Sequence, residues 1–261
     1  MTELIGWLDA LSPLSASANA VLVSLSLLTA WINSAMGIGG SALLIMSMAQ
    51  IMPPAAVIPV HGMVQLGQNS TRFAMIWPHV DYRLLLAIIP GIVIGAILAG
   101  LLLVQLPSGM LELLIASFML FMCWGPPLPA RSVGTAGSMV MGVITTFLSS
   151  FVGAAGSIVA AYLKHISPER LTRVATHSAV MSLQHLTKLF IFGFAGFIFI
   201  DWLPLMLAMV MVGFLGTWVG LKVLKKLTNH HFDFIMKLLL TALSLRLLWV
   251  CLLYISPSPR D

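Results

Sequence analysis

Two short stretches carry the residue types most suited to chemistry: Gly37-Ile38-Gly39-Gly40-Ser41 and Gly153-Ala154-Ala155-Gly156-Ser157. Each opens on glycine and ends on a glycine followed by serine. A helix beginning at such a serine exposes amide hydrogens with no partner inside the helix, and its macrodipole adds roughly half a positive charge there. Glycine lets a bound group come close to the backbone, and the serine hydroxyl adds a donor. Such a constellation suits a small anion. The plainer reading is that small residues let membrane helices pack closely. The duplication favours a site, because both copies precede a helix too short to cross a bilayer. Residues 41–52 number 12 before Pro53-Pro54, and residues 157–164 number 8. At roughly 1.5 Å per residue neither spans a hydrocarbon core of about 30 Å. Irregular backbone at that depth is tolerated only where protein buries it or water lines it. Gly37, Gly39, Gly40, Ser41, Gly153, Gly156 and Ser157 are therefore candidate substrate-binding residues.

Each break is followed by a long, unusually polar helix. His61, Gln65, Gln68, Asn69 and Arg72 follow one another at +4, +7, +8 and +11 from the histidine, hence on one helical face. His177, Gln184, His185 and Lys188 do the same, with Thr176 and Ser178 beside the histidine. Polar side chains within a span must face protein or a water-filled cavity and often mark a pathway. Interhelical hydrogen bonding that holds the bundle together is the alternative. His61, Gln65, Gln68, His177 and Gln184 join the candidate list. The histidines could donate to an anion or carry a coupled proton. Arg72 and Lys188 are expected to snorkel towards opposite interfaces and attract substrate. Asp81 and Asp201 precede apolar segments and read as N-caps.

The elements that position these residues are apolar and helical. The chain has 261 residues, of which 59% are hydrophobic and only 8% charged, against about 25% charged in an average soluble chain. With a mean hydropathy of +1.03, it reads as a polytopic α-helical membrane protein. The net charge of +5 fits cytoplasmic loops facing anionic lipid and not a nucleic-acid surface. Cys123 and Cys251 stand alone, with neither disulfide nor metal-site spacing. Glu3 and Asp9 without a basic residue do not make the n-region of a signal peptide, so the first apolar segment is expected to direct insertion.

Residues 1–17 form a polar lead, 18–124 a first repeat, 125–133 a Pro-rich link, 134–255 a second repeat and 256–261 a tail. A shift of 116 (157−41) places Ser41 on Ser157, His61 on His177, Gln68 on Gln184, Thr71 on Thr187 and Arg72 on Lys188. If each break tips a re-entrant hairpin, each half has three full spans and the halves are inverted. That topology gathers ten basic residues, Arg72, Arg83 and Arg131 among them, on one side. Full crossings would move those three outside, so the positive-inside rule favours the hairpins. The expected fold is all-α: two inverted repeats, each a glycine-tipped re-entrant hairpin plus three transmembrane helices.

The breaks, the prolines after them, the polar helices and the Asp-Tyr and Asp-Trp entries to the next span resemble the sulfite exporter TauE/SafE permeases, also called 4-toluenesulfonate uptake permeases. Ala175-Thr176-His177-Ser178 through Gln184-His185 is especially similar. Ala154-Ala155 depart from the family's glycine run. The resemblance implies transport of sulfite, sulfonates or related organic anions across the bacterial cytoplasmic membrane. The expected function is a multi-pass secondary transporter working by alternating access, with an anion channel as the alternative and an intramembrane enzyme or receptor behind it. HExxH is absent, and Gly40-Ser41-Ala42 is not a GxSG turn, so no catalytic residue is assigned. The expected partners are a small anion and membrane lipid, with no cofactor, metal or nucleic acid. Proton or sodium coupling and homo-oligomerisation stay open.

Overall fold

The computed structural model describes the chain except residues 1–5, 7–8, 37–38, 104–107, 127–133, 154, 225–229 and 256–261. Gly37 thus lies outside the described residues, as does Ala154. The described residues form ten α-helices and no strand: α1 (Ala16–Met36), α2 (Gly40–Met48), α3 (Pro54–Ile76), α4 (Tyr82–Leu103), α5 (Ser108–Trp124), α6 (Thr135–Val152), α7 (Gly156–Ile166), α8 (Arg170–Phe194), α9 (Leu203–Val223) and α10 (His230–Ile255). Single 3-10 turns, Trp77–His79 and Phe199–Trp202, precede α4 and α9.

Local chemistry sets several boundaries. Pro54 starts α3, a position where the missing N–H costs nothing. Asp81 caps α4, its carboxylate accepting the Leu84 amide at 3.0 Å. Asp201 does not repeat this: it lies inside the 3-10 turn, and α9 starts after Trp202 without a side-chain cap. The extra turn moves the carboxylate away from the free amides. Helix α8 begins at Arg170, earlier than the apolar pattern suggests, because its first turn is polar and periodicity is blind to it.

Four helical segments are long and apolar enough to cross a membrane: Ala16–Met36, Tyr82–Leu102, Thr135–Val152 and Phe199–Val223. Glu112–Trp124 is a shorter apolar segment. α3 and α8, with 23 and 25 residues, have the length but carry the polar faces, which are turned inwards. His61, Gln65, Gln68, Asn69, Thr176, Ser178, Gln184 and His185 are all buried, while Leu86, Ile97, Leu101, Met211, Leu215 and Trp218 are exposed. Polar inside and apolar outside is the arrangement lipid demands.

Arg72 and Lys188 overturn the expectation of snorkelling. They are 3% and 0% exposed. Both side chains turn inwards because carbonyl oxygens left over at the helix breaks offer better partners than a distant interface. Arg72 therefore cannot be counted among loop charges when orientation is assigned.

Two close helix pairs hold the bundle. A Cβ on Gly216 or Gly91 would overlap the carbonyl of Leu27 or Met139, and four residues on, Gly220 and Gly95 meet the carbonyls of Trp31 and Val143. Thus α9 runs parallel to α1, and α4 runs parallel to α6, at small-residue contacts of the same stride. Between these pairs α3 crosses α8 in the opposite sense: Gly62 faces Lys188, Ser70 bonds Ser182 and Arg72 bonds Ser178. α5 packs on α10. Exchanging each helix for the one five places along reproduces these pairings.

Candidate functional site

At the first break α1 stops at Met36 and α2 starts at Gly40. Gly39 adopts φ 99°, a left-handed conformation that glycine alone takes without strain. Gly40 lies so close to α1 that a Cβ would overlap the Thr29 carbonyl oxygen. Asn33, on the last turn of α1, accepts the Ser41 amide hydrogen at 3.1 Å. That amide is therefore already partnered, where the sequence suggested a free donor. His61 holds the same turn: its Nε2 lies 3.2 Å from the Ser41 carbonyl oxygen and 3.3 Å from the Ser41 hydroxyl. Arg72 closes the network. Its Nη1 donates to the Asn33 carbonyl (2.8 Å), its Nε to the Ser178 hydroxyl (2.6 Å) and its Nη2 to the Asn69 amide oxygen.

The second break repeats the plan with different partners. Gly153 takes φ 77° and its amide donates to the Ser149 carbonyl at 2.9 Å. Lys188 Nζ donates to the Gly153 carbonyl at 3.2 Å, and His177 Nε2 lies 3.0 Å from the Gly156 carbonyl. Among the described residues nothing accepts the amide hydrogens of Gly156 and Ser157. The second break packs against the middle of α2 in the protein interior, where a Cβ on Gly153 would strike Ile45.

A cavity of about 270 Å³ lies between the breaks. Asn33, Ser41, Gln65, Asn69, Arg72, Ser157 and His177 line one side, with Gly39 and Gly156 in its wall. Met119, Met122, Cys123, Met181 and Met236 line the other. A second cavity of about 340 Å³ shares Ser157 and His177 and carries Lys164, Arg170 and Arg173. Among the described residues no aspartate or glutamate lines either space. Arg72 and Lys188 have no carboxylate partner among the described residues. Buried cations surrounded by donors stabilise an anion and repel a cation or metal ion.

Of the residues singled out from sequence, Gly39, Ser41, Gln65, Gly156, Ser157 and His177 come together on this cavity. Gly40, His61, Gln68, Gly153 and Gln184 stand behind its wall. Gln68 donates to the Ser26 hydroxyl at 2.8 Å, and Gln184 donates to the Thr145 hydroxyl at 2.8 Å. They brace helices. Asn33 and Arg72 also line the cavity; the sequence reading missed the first and misplaced the second. An asparagine within a turn of a glycine break was the available signal for the first.

A family model described as sulfite exporter TauE/SafE matches residues 22–247. The chain belongs to that family. No curated protein and no solved structure matches it. As a TauE/SafE protein it is a multi-pass membrane protein of a family of sulfur-anion transporters. The matched segment takes in both breaks, both polar helices and every cavity-lining residue.

Proposed function

We propose that this TauE/SafE protein is a secondary transporter that carries sulfite, a sulfonate or a related small anion across the inner membrane by alternating access. The substrate binds between Ser41 and Ser157. One observation carries the reading: two chain breaks 116 residues apart (157−41) put their serines on one cavity beside a buried arginine, with no carboxylate in its lining. The hydroxyls, the Ser157 amide and Arg72 would supply hydrogen bonds to oxyanion oxygens, at a point where low dielectric strengthens each of them.

We read the fold as two inverted repeats, residues 18–124 and 134–255, each with a re-entrant hairpin. Contacts between α1 and α3 advance together, Gln68 with Ser26 and Arg72 with Asn33. Those between α6 and α8 do likewise, Gln184 with Thr145 and Lys188 with Gly153. A helix that lies parallel to the one two places earlier requires the short helix between them to turn back. Antiparallel α3 and α8 support opposite topology of the halves, a recurring transporter plan with its site at the repeat interface.

The test is flux of radiolabelled sulfite, taurine and 4-toluenesulfonate in proteoliposomes, with counter-flow measured after loading. Saturable exchange is expected, and Gly39→Leu and Ser41→Leu should abolish it at normal membrane abundance. Normal transport by both variants would overturn the site. Flux that never saturates and shows no counter-flow would make the protein a channel.

A further inference from the structure

The cavity is built chiefly from the first half of the chain, yet the second half holds the same pieces out of reach. At the shift of 116, Asn33 corresponds to Ser149 (149−33), Asn69 to His185 (185−69) and Arg72 to Lys188 (188−72). The first three line the accessible cavity and are hydrogen-bonded to one another. Their counterparts are all fully buried, at 0% exposure, and line neither cavity. They are also short of partners. The Ser149 hydroxyl, the Gln184 carbonyl oxygen and both ring nitrogens of His185 have no hydrogen bond. Among the described residues Lys188 donates only to the Gly153 carbonyl, at 3.2 Å. A buried polar group without a partner costs about 1–3 kcal/mol, and a charge buried without a counter-charge costs more. The Ser149 hydroxyl and the His185 N–H are unmet donors beside a buried cation, the arrangement a vacated anion site leaves behind, while the Gln184 oxygen is an unmet acceptor.

We propose that Ser149, His185 and Lys188 form a second oxyanion site, the mirror of Asn33, Asn69 and Arg72, closed in this conformation and opened towards the opposite membrane face when the repeats exchange conformations. This rests on the alternating-access reading given above. A hydroxyl, an imidazole N–H and an ammonium are all donors, so the ligand must accept hydrogen bonds and carry negative charge. The Lys188 charge excludes sodium and divalent metals. The substrate is handed from the Arg72 side to the Lys188 side across the paired serines. Lys188 is therefore a binding residue for one face only.

The half-saturating sulfite concentration is measured separately at each membrane face, in right-side-out and inverted vesicles, for wild type, Arg72→Met, Lys188→Met and Lys188→Arg. Lys188→Met should raise it at least tenfold at the face opposite Lys164, Arg170 and Arg173, and less than threefold at the basic face. Arg72→Met should show the reverse, and Lys188→Arg should restore most of the loss. In a background with Cys123 and Cys251 replaced by alanine, Ser149→Cys should react with a membrane-impermeant thiol reagent from that opposite face only during sulfite turnover. This labelling is read at saturating sulfite and does not depend on the lysine variants folding. Wild-type vesicles without saturable flux would sink the transport reading and this site with it. Normal wild-type flux with symmetric losses in both methionine variants, or Ser149→Cys labelled from the basic face, would overturn the mirror site alone.

Discussion

Asn33 and Ser149 occupy the same place in the two halves, one turn before a glycine break, and they behave differently. Asn33 reaches across its break, caps the Ser41 amide and passes its carbonyl to Arg72, so that on that side the His61 Nδ1 is left without a partner but the break itself is bridged. The Ser149 hydroxyl reaches nothing, and at the second break the Gly156 and Ser157 amides have no acceptor among the described residues. Side chains bridge the first break, and among the described residues the second has fewer such partners. Two copies of one sequence plan thus differ in how many of their polar groups are partnered in a single conformation.

This contrast can be broken most sharply at the glycines. Gly40→Ala drives a methyl into the Thr29 carbonyl, whereas Gly156→Ala meets His177 and Met181 at 3.4 Å, ordinary contact. Gly40→Ala should destabilise by about 3 kcal/mol or prevent accumulation, and Gly156→Ala by less than about 1 kcal/mol. Denaturation of the purified protein in detergent compares them, and equal losses would refute the asymmetry. Next comes Asn33→Ala, which should cost about 1 kcal/mol through loss of the Ser41 cap. Ser149→Ala should be neutral or slightly stabilising in the resting protein, since it removes an unpartnered buried hydroxyl. Smallest is the aspartate pair. Asp81→Ala should cost about 1 kcal/mol as a lost N-cap, and Asp201→Ala should stay within about 0.5 kcal/mol as an exposed change.

Much of this plan was legible before any coordinates. Period-3.6 apolar runs and the missing charge placed the long helices, because lipid imposes one pattern on every segment it touches. That the serines, His177 and Gln65 line an interior cavity was legible, since a polar residue in an apolar span must face inwards. Direction along the helix was not. Snorkelling is the default for a long cation near a helix end, and only the carbonyls freed at a break many residues away in sequence explain why Arg72 and Lys188 turn inwards. Gln68 and Gln184 share a face with the site residues, yet they stop at hydroxyls on α1 and α6, a distinction that spacing alone does not carry. Asp201 failed as a cap because one 3-10 turn intervenes, and a four-residue turn leaves no periodic trace.

The clasp of α1 with α9, and of α6 with α4, has a mechanical result. Each glycine-tipped arm is fastened not to its own half but to the other one, so cutting the chain in the middle does not yield two pieces that could pivot freely. A movement of either break therefore pulls on a helix encoded in the other half of the chain, α9 for the first break and α4 for the second. In the alternating-access transporter proposed above, this interlacing would link the opening of one side to the closing of the other.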